Sequence, residues 1–521
     1  MTMAFPEGME MGPPAEEINA RQGLADRKQG SATARERLAT KLKLRWPEWI
    51  AISAYAGLLA FAIPYHEPWV DEAQAWQMAR SLSLGALFEK YIRYEGTPGL
   101  WHFLLCILNR AHVSYAGMHW ICGAIAVVST SILVLNAPFP RYLKLSLPFT
   151  FFLLYQYAVV ARSYVLVPLA LFVIACWWKK RPLVVAIALG LLANCSLHAA
   201  VISGGLAIVY LVEQISDGRA KDPARRRELL LCATIVLGFY AFALWTAWPP
   251  ADISYLSNAR GNMRPFLIST LRALFLPIFQ TWIFAVFFWV AVTVMFCARR
   301  RWFYLLPVLM FAVFCGVVPG NFWHFGLLVP LLVSLLWITW PPPRSGNSRS
   351  EMVGRAAVIC MVCVQIVWSG CALYFDHYYA YSPDAAAAQY LEPYVESGST
   401  IAVTYLDETA SHVANAVGIL PYFDRNIYIN EAYPFYWWSN KNQYDDGTLL
   451  VSQPSIVVGE TENAGAEPPA DLTGPRAESL MKSGYRLTHV FCGTIPFGGR
   501  AAFTNCHLMF ERTAGNSSLV R

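Results

Sequence analysis

The sequence is poor in charge and contains none of the common cofactor motifs. Only 14% of its 521 residues are Asp, Glu, Lys or Arg, against about 25% in soluble globular domains. It has no GxGxxG stretch, no P-loop and no Cys/His spacing typical of metal sites. It also lacks a basic patch interleaved with aromatic residues. These absences argue against a soluble nucleotide-dependent enzyme and against a protein that binds nucleic acid.

Hydrophobic residues make up 56% of the chain, which predicts a polytopic α-helical membrane protein. Lys/Arg clusters between the apolar runs mark the cytoplasmic side, and each pair of neighbouring clusters encloses an even number of runs. The short run 98–112 is interpreted as an interfacial or re-entrant helix, with a true span as the alternative. We therefore expect about eleven transmembrane helices, at 47–65, 116–137, 143–160, 162–178, 182–197, 198–214, 228–248, 268–297, 302–319, 325–341 and 356–374.

The chain is expected to have three parts. Residues 1–46 are polar and predict a disordered cytoplasmic tail, followed by a first helix that is retained instead of being cleaved as a signal peptide. Residues 47–375 form the transmembrane domain. Residues 376–521 contain strand-like stretches at 399–406, 455–460 and 486–493 and helix-like stretches at 408–420 and 474–485, which predict a small extracytoplasmic α/β domain.

Cys492 and Cys506 are the two cysteines in the polar C-terminal region, whereas most of the others lie in apolar runs. They can pair if that region faces an oxidising compartment. The sequence leaves the pairing open.

Two adjacent carboxylates, Asp71 and Glu72 in "PWVDEAQAW", follow the first apolar run on the expected outer face. An acid just outside a span is usually solvated or paired with a nearby Arg. Here the next residues are amphipathic, which predicts a helix on the membrane surface with both acids at its N-terminus. Because a positioned carboxylate can deprotonate an acceptor hydroxyl, both are candidate catalytic residues.

Other polar residues gather near the ends of spans on the same face, where an enzyme acting on a lipid-linked molecule would bind its substrate. Each has a plainer interpretation: an Arg can snorkel to headgroups or be a loop charge, and a His can be hydrogen-bonded or anchor an interfacial aromatic belt. The candidate substrate-binding residues are Arg93, Glu95, His102, Arg162, Tyr164, His198, Arg260, Arg264 and His324.

The order of these stretches resembles that of the C-type membrane glycosyltransferases (GT-C), in the superfamily of protein O-mannosyltransferases and lipid A aminoarabinose transferases, and specifically their divergent bacterial branch. The resemblance covers roughly 47–345 and depends on the order of "PWVDEAQAW", "YEGTPGLWHFLL", "ARSYVLVPLALF", "LLANCSLHAA" and "NFWHFGLLVPLL".

The residues of the family's motifs are kept at some positions of this sequence and replaced at others. In that superfamily the acid of the first outer loop is the catalytic base, which corresponds to Asp71. The family's Gly-His-Pro-Pro-Leu stretch corresponds to "EGTPGLWH", where Thr97 and Gly99 replace the His and the second Pro. Arg162 and Tyr164 match an Arg-Pro-Tyr motif that has lost its Pro.

The resemblance implies transfer of a sugar from a polyprenyl-phosphate donor to a glycan, lipid or protein acceptor outside the cytoplasm. Asp71 would act as the base in a single inverting displacement, and Arg162, with Arg260 or Arg264, would offset charge on the leaving phosphate. No cofactor is certain and no metal ligand is assigned; because residue 97 has changed, use of a divalent cation stays open.

The expected location is the bacterial inner membrane, with a cytoplasmic N-terminus and with membrane lipid and the lipid-linked sugar as partners. Two alternatives stay open: an oligosaccharide ligase, and a non-enzymatic flippase or transporter of a lipid-linked saccharide.

Overall fold

The computed structural model describes residues 45–251, 263–318, 320–341, 348–406, 415–436, 451–464 and 474–513. The chain divides into two compact units, Met1–Ala54 and Tyr55–Arg521. The described part of the first unit is the beginning of the helix Trp46–Ala62. All but the last two residues of the expected tail 1–46 lie outside the described residues.

Most of the described residues are helical. Within the described ranges, five helices are long and apolar enough to cross a membrane: Tyr115–Asn136, Leu197–Ser216, Pro223–Ala247, Phe322–Thr339 and Arg349–Tyr378. Shorter apolar helices are Ser163–Trp177, Pro182–Ala193, Trp282–Ala298 and Trp302–Val317. The other helices of this part are Trp46–Ala62, Val70–Ser81, Leu100–Arg110 and Met263–Phe275, with short turns at Leu84–Ala86, Leu87–Tyr91 and Ile92–Glu95. The composition of these helices is that of a membrane protein.

Two of the expected spans are not single helices. The run 143–160 is broken into Arg141–Ser146, a 3-10 turn Leu147–Phe149 and a π-helical turn Phe152–Gln156, because Pro148 has no N–H to continue the helical ladder. Residues 151–161 are nevertheless buried throughout. The run 268–297 is divided between Met263–Phe275 and Trp282–Ala298, with Pro277 in the break.

The run 98–112 forms the helix Leu100–Arg110, which has 11 residues. A helix of that length extends only about 16 Å, roughly half of a bilayer's hydrocarbon core. Leu100–Arg110 is not among the described helices that are long and apolar enough to cross a membrane.

The C-terminal region contains a four-stranded sheet in the order β1-β2-β4-β3. Its strands are β1 (Ile401–Tyr405), β2 (Ile456–Ala464), β3 (Tyr485–Phe497) and β4 (Arg500–Arg512). β1 and β2 are parallel, whereas β4 pairs antiparallel with both β2 and β3. The helix Asp384–Glu396 packs on one face of the sheet and Pro475–Lys482 on the other.

This arrangement agrees with the predicted α/β organisation, although β4 and the helix Asp384–Glu396 were not predicted. The helix expected at 408–420 is a 3-10 segment, Asn415–Tyr422, over its described part, and 408–414 lie outside the described residues. Cys492 and Cys506 face each other across β3 and β4 and form a disulfide.

The helix Val70–Ser81 does not lie on a surface, so that prediction is wrong. Nine of its 12 residues are buried, and it packs against Leu100–Arg110 and against the 3-10 segment Asn415–Tyr422 of the C-terminal region. Its polar residues therefore meet protein instead of water and headgroups.

Candidate functional site

Segments that are distant in the sequence line one cavity of about 430 Å³. The lining consists of residues from 69–75, 95–97, 101–102, 162–164, 196–198, 247–249 and 321–324, together with Val318 and Tyr436. Seven of the predicted site residues are among them: Asp71, Glu95, His102, Arg162, Tyr164, His198 and His324. Three predicted residues with a described position, Glu72, Arg93 and Arg264, do not line it, and Arg260 lies outside the described residues.

An ion pair between Asp71 and Arg162 forms one wall of the cavity. Asp71 lies in the first turn of the helix Val70–Ser81, and Arg162 immediately precedes the 3-10 turn Ser163–Val165. Asp71 Oδ2 and Arg162 Nη2 are 2.7 Å apart, with side-chain exposures of 29% and 15%. Burial raises the pKa of Asp71 above its usual value, and Arg162 offsets only part of that effect. The pair places a carboxylate and a guanidinium side by side at the edge of the cavity.

Three aromatic rings surround the guanidinium of Arg162. Its Cζ lies 5.0 Å from the ring centroid of Tyr164, 5.4 Å from that of Trp323 and 5.7 Å from that of Trp69. These distances are within the range of cation–π attraction. The rings hold the guanidinium in place, while its buried Nη1 has no hydrogen-bond partner in the part of the chain that the structure describes.

Glu95 and Gln74 connect the cavity to the C-terminal region. Gln74 Nε2 donates to Glu95 Oε1 over 2.8 Å and also to the carbonyl oxygen of Tyr436, whose N–H donates to Gln74 Oε1 over 2.7 Å. Burial raises the pKa of Glu95 to about 7; the Gln74 hydrogen bond and Arg162 lower it, and Asp71 raises it further. Glu95 therefore changes charge near neutral pH.

Several buried nitrogens of the cavity lining have no hydrogen-bond partner within the described residues. Such groups are rare in folded proteins because each one costs free energy, so we interpret them as groups that meet a ligand. They are both ring nitrogens of His102, Nε2 of His198, Nη1 of Arg162, and Nε1 of Trp69 and of Trp323. His324 differs, because its Nδ1 accepts from the N–H of Asn321 over 3.0 Å. Its ring centroid lies 4.6 Å from that of His198, with the two rings tilted by 33°.

Glu72 occupies a different environment from its neighbour Asp71. Its side chain is fully buried and accepts from the backbone N–H of Trp69 (3.2 Å) and of Ala161 (2.6 Å). The Nε2 atoms of His66 and His119 lie 3.2 Å and 3.0 Å from its two carboxylate oxygens. Because Glu72 does not reach the cavity, the structure does not place it as a catalytic residue that contacts substrate.

Two other predicted residues also lie away from the cavity. Arg93 Nε donates to the carbonyl oxygen of Trp248 over 2.9 Å. Arg264 is exposed near the beginning of the helix Met263–Phe275. Neither position supports contact with a ligand in the cavity.

Trp69, Gln74 and Tyr436 line the cavity and were not predicted as site residues. His66 and His119, which contact Glu72 outside the cavity, were not predicted either. With Glu72 they form the one group of described residues whose donor atoms, all within 4.8 Å of one another, suit a metal ion. Both histidines had a sequence signal: His119 interrupts an apolar run, and His66 follows one, and ionisable residues there need a partner.

No family model, curated protein or solved structure matches the chain. Evidence for a function therefore comes from the cavity and from the order of the sequence stretches. The fold and the site together define a helical protein with membrane-type helices and a cavity built around an acid–guanidinium pair.

Proposed function

We propose that this protein is a glycosyltransferase that moves a sugar from a polyprenyl-phosphate donor to an acceptor hydroxyl. The observation that carries the proposal is the contact of 2.7 Å between Asp71 and Arg162 at a cavity of about 430 Å³. A carboxylate can act as a general base, and a guanidinium can stabilise a phosphate leaving group. Their adjacency places a base for the attacking hydroxyl and a cation for the leaving phosphate beside the same anomeric carbon.

The reaction is a single displacement at the anomeric carbon of the sugar. Asp71 accepts the proton of the acceptor hydroxyl as its oxygen bonds to that carbon. The bond from the carbon to the phosphate oxygen breaks, and the electron pair leaves on the polyprenyl phosphate. Arg162, whose Nη1 has no hydrogen-bond partner among the described residues, offsets the new negative charge. Inversion of configuration follows from attack opposite the leaving group.

The unpartnered nitrogens provide the means to bind the sugar and the phosphate. Trp69 Nε1 and Trp323 Nε1 can only donate, whereas each imidazole of His102 and His198 can both donate and accept. A sugar presents hydroxyls that do both, and a phosphate presents acceptors. The cavity thus combines aromatic faces with hydrogen-bonding groups, as sites for small ligands usually do.

The proposed topology has eleven crossings with the cavity on the outer side. The segment 141–160 counts as one crossing with a broken helix, and Met263–Phe275 and Trp282–Ala298 together count as another. Irregular backbone at membrane depth is tolerated where protein covers it, and residues 151–161 are buried. The disulfide Cys492–Cys506 supports an oxidising compartment for the C-terminal domain, such as the outer side of a bacterial inner membrane.

The direct test replaces Asp71 with Asn, which keeps the shape and removes the base. Comparing lipid extracts of cells with and without the protein identifies the lipid-linked sugar that accumulates, and transfer from that donor is then measured in membranes. We expect Asp71→Asn to lower the transfer rate by about 10²- to 10⁴-fold. Glu89→Gln is the matched control, because Glu89 is an exposed acid outside the cavity. Wild-type transfer by Asp71→Asn at normal abundance would refute the assignment.

A flippase for a lipid-linked saccharide is the second candidate, and the broken segment 141–160 favours it. Transporters often build their sites from discontinuous helices. Proteoliposomes that contain the donor lipid but no acceptor separate the two functions: a flippase moves the sugar to the opposite leaflet, whereas a transferase leaves the lipid distribution unchanged. A flippase would also keep its activity in Asp71→Asn, since no proton is removed from an acceptor.

A further inference from the structure

Three side chains from three different segments converge outside the cavity lining, around the residue that follows Asp71. His66 follows the helix Trp46–Ala62, Glu72 lies in the first turn of Val70–Ser81, and His119 lies near the beginning of Tyr115–Asn136. Their side-chain exposures are 0%, 0% and 4%. A carboxylate and two imidazoles buried together need either protons or a cation between them.

The carboxylate of Glu72 is oriented so that both oxygens face an imidazole nitrogen. Each oxygen has two lone pairs; one on Oε2 accepts from Trp69 N–H and one on Oε1 accepts from Ala161 N–H. The remaining lone pairs face Nε2 of His66 at 3.2 Å and Nε2 of His119 at 3.0 Å. A tetrahedral zinc ion bound at about 2.0–2.2 Å separates its ligand atoms by about 3.3–3.6 Å, so both contacts need to open only slightly to admit it.

The other nitrogen of His66 has the environment of a metal ligand. Its Nδ1 lies 3.2 Å from each carboxylate oxygen of Asp376, which is on the helix Arg349–Tyr378. Histidines that bind metals almost always donate their second ring N–H to such a group, which fixes the tautomer and leaves the first nitrogen free to bind. Without a metal, His66 must carry protons on both nitrogens to make both contacts favourable.

We propose that His66, Glu72 and His119 bind a Zn²⁺ ion. Two imidazoles and one carboxylate are a zinc ligand set, and the charges of Glu72 and Asp376 balance the dication while both histidines are neutral. The ion joins the helix that carries Asp71 to the helix Tyr115–Asn136. It acts as a positioning element for Asp71 and takes no part in the transfer step, so its presence does not depend on the proposed activity.

The experiment measures metal content of the full-length chain, purified in detergent from cells grown with zinc. Elemental analysis should find about one zinc per wild-type chain. His119→Ala should abolish binding, whereas His119→Cys should restore it, because a thiolate is also a zinc ligand. Asp376→Asn should weaken zinc affinity by about 10- to 100-fold. The control is His507→Asn. His507 Nε2 lies 2.7 Å from Asp384 Oδ1 in another buried pair. Among the described residues, that pair belongs to no group of three side chains that suits a metal ion.

Two results would overturn the proposal. The first is a folded wild-type chain that holds no stoichiometric zinc and binds none after dialysis against a zinc salt. In that case His66, Glu72 and His119 are joined by protons and hydrogen bonds and not by a metal ion. The second is full zinc content in His119→Ala. If the variants fail to fold, Co²⁺ loading of the wild-type chain decides, because a bound Co²⁺ with these ligands has visible absorption bands and a protonated network has none.

Discussion

Arg162 Nη2 lies 2.7 Å from Asp71 Oδ2, and three aromatic rings surround the guanidinium. The rings exclude water from one side of the pair, which strengthens the attraction between the two charges. They also restrict the position of Arg162, so that the carboxylate of Asp71 is held toward the cavity. The same contact therefore orients the proposed base and presents a cation to the proposed leaving group.

Replacing Arg162 should impair use of the lipid donor. Arg162→Ala removes the group that offsets phosphate charge, and we expect transfer to fall by about 10²- to 10³-fold. Arg162→Lys keeps the charge but lacks the planar fork and the ring stacking, so an intermediate rate is expected. The dependence of rate on donor concentration is the measurement, with the exposed Arg110→Ala as the control. Unaltered donor dependence in Arg162→Ala would leave the ion pair with Asp71 as the role of this residue.

Glu95 should make donor binding sensitive to pH near neutrality. Its pKa is about 7, so the carboxyl is neutral below that pH and negative above it. The negative form repels an anionic donor, and KM for the donor should rise as pH increases through 7. Glu95→Gln should give a flat profile over the same range. If KM for the donor depends on pH in the same way in the wild type and in Glu95→Gln, Glu95 does not face the donor.

The raised pKa of Glu95 should also make the stability of the folded protein depend on pH. Because the folded-state pKa of Glu95 is raised from 4.5, the protonated carboxyl favours folding, and that contribution is lost as pH rises from 4.5 through about 7. Relative to Glu95→Gln, the wild type should therefore lose stability across this window. Thermal unfolding of both proteins in detergent at several pH values measures the difference.

The positions of Asp71, Arg162 and His198 at one cavity could be predicted from the sequence. Lys/Arg clusters assign loops to sides of a membrane, and the ends of spans on one side must meet. The different environments of Asp71 and Glu72 could not be predicted in the same way. Adjacent helical residues point about 100° apart, but no pattern shows which of the two faces the cavity.

The helix Val70–Ser81 shows a second limit of sequence patterns. An amphipathic sequence indicates that one side of a helix is polar. It does not show whether that side faces water or a polar surface of the protein. Gln74, for example, is buried because it pairs with the backbone of Tyr436, a partner more than three hundred residues away. Likewise, hydropathy finds the run 143–160 but does not show that Pro148 breaks it.

The proposed topology places Arg141–Ser146 on the cytoplasmic side. Tyr142 is exposed, so we expect a Tyr142→Cys variant to resist an impermeant thiol reagent added outside and to react after permeabilisation. The exposed cysteines Cys297, Cys360 and Cys363 are first replaced by Ser. Ser483→Cys, in the C-terminal domain, is the control that should react from outside. Ready labelling at residue 142 would instead make Leu100–Arg110 a membrane crossing.

The disulfide between Cys492 and Cys506 should stabilise the C-terminal domain. It closes a loop with a sequence separation of 14 residues, for which the loss of unfolded-state entropy is worth about 3 kcal/mol. Because β3 and β4 are already paired on either side of the bond, its removal should lower the stability of the sheet without changing the strand register. Hydrogen exchange of the double variant Cys492→Ser/Cys506→Ser should therefore show faster opening of β3 and β4, while the helices of the transmembrane part keep wild-type rates. Equal exchange in β3 and β4 of both proteins would show that strand pairing alone holds this sheet together.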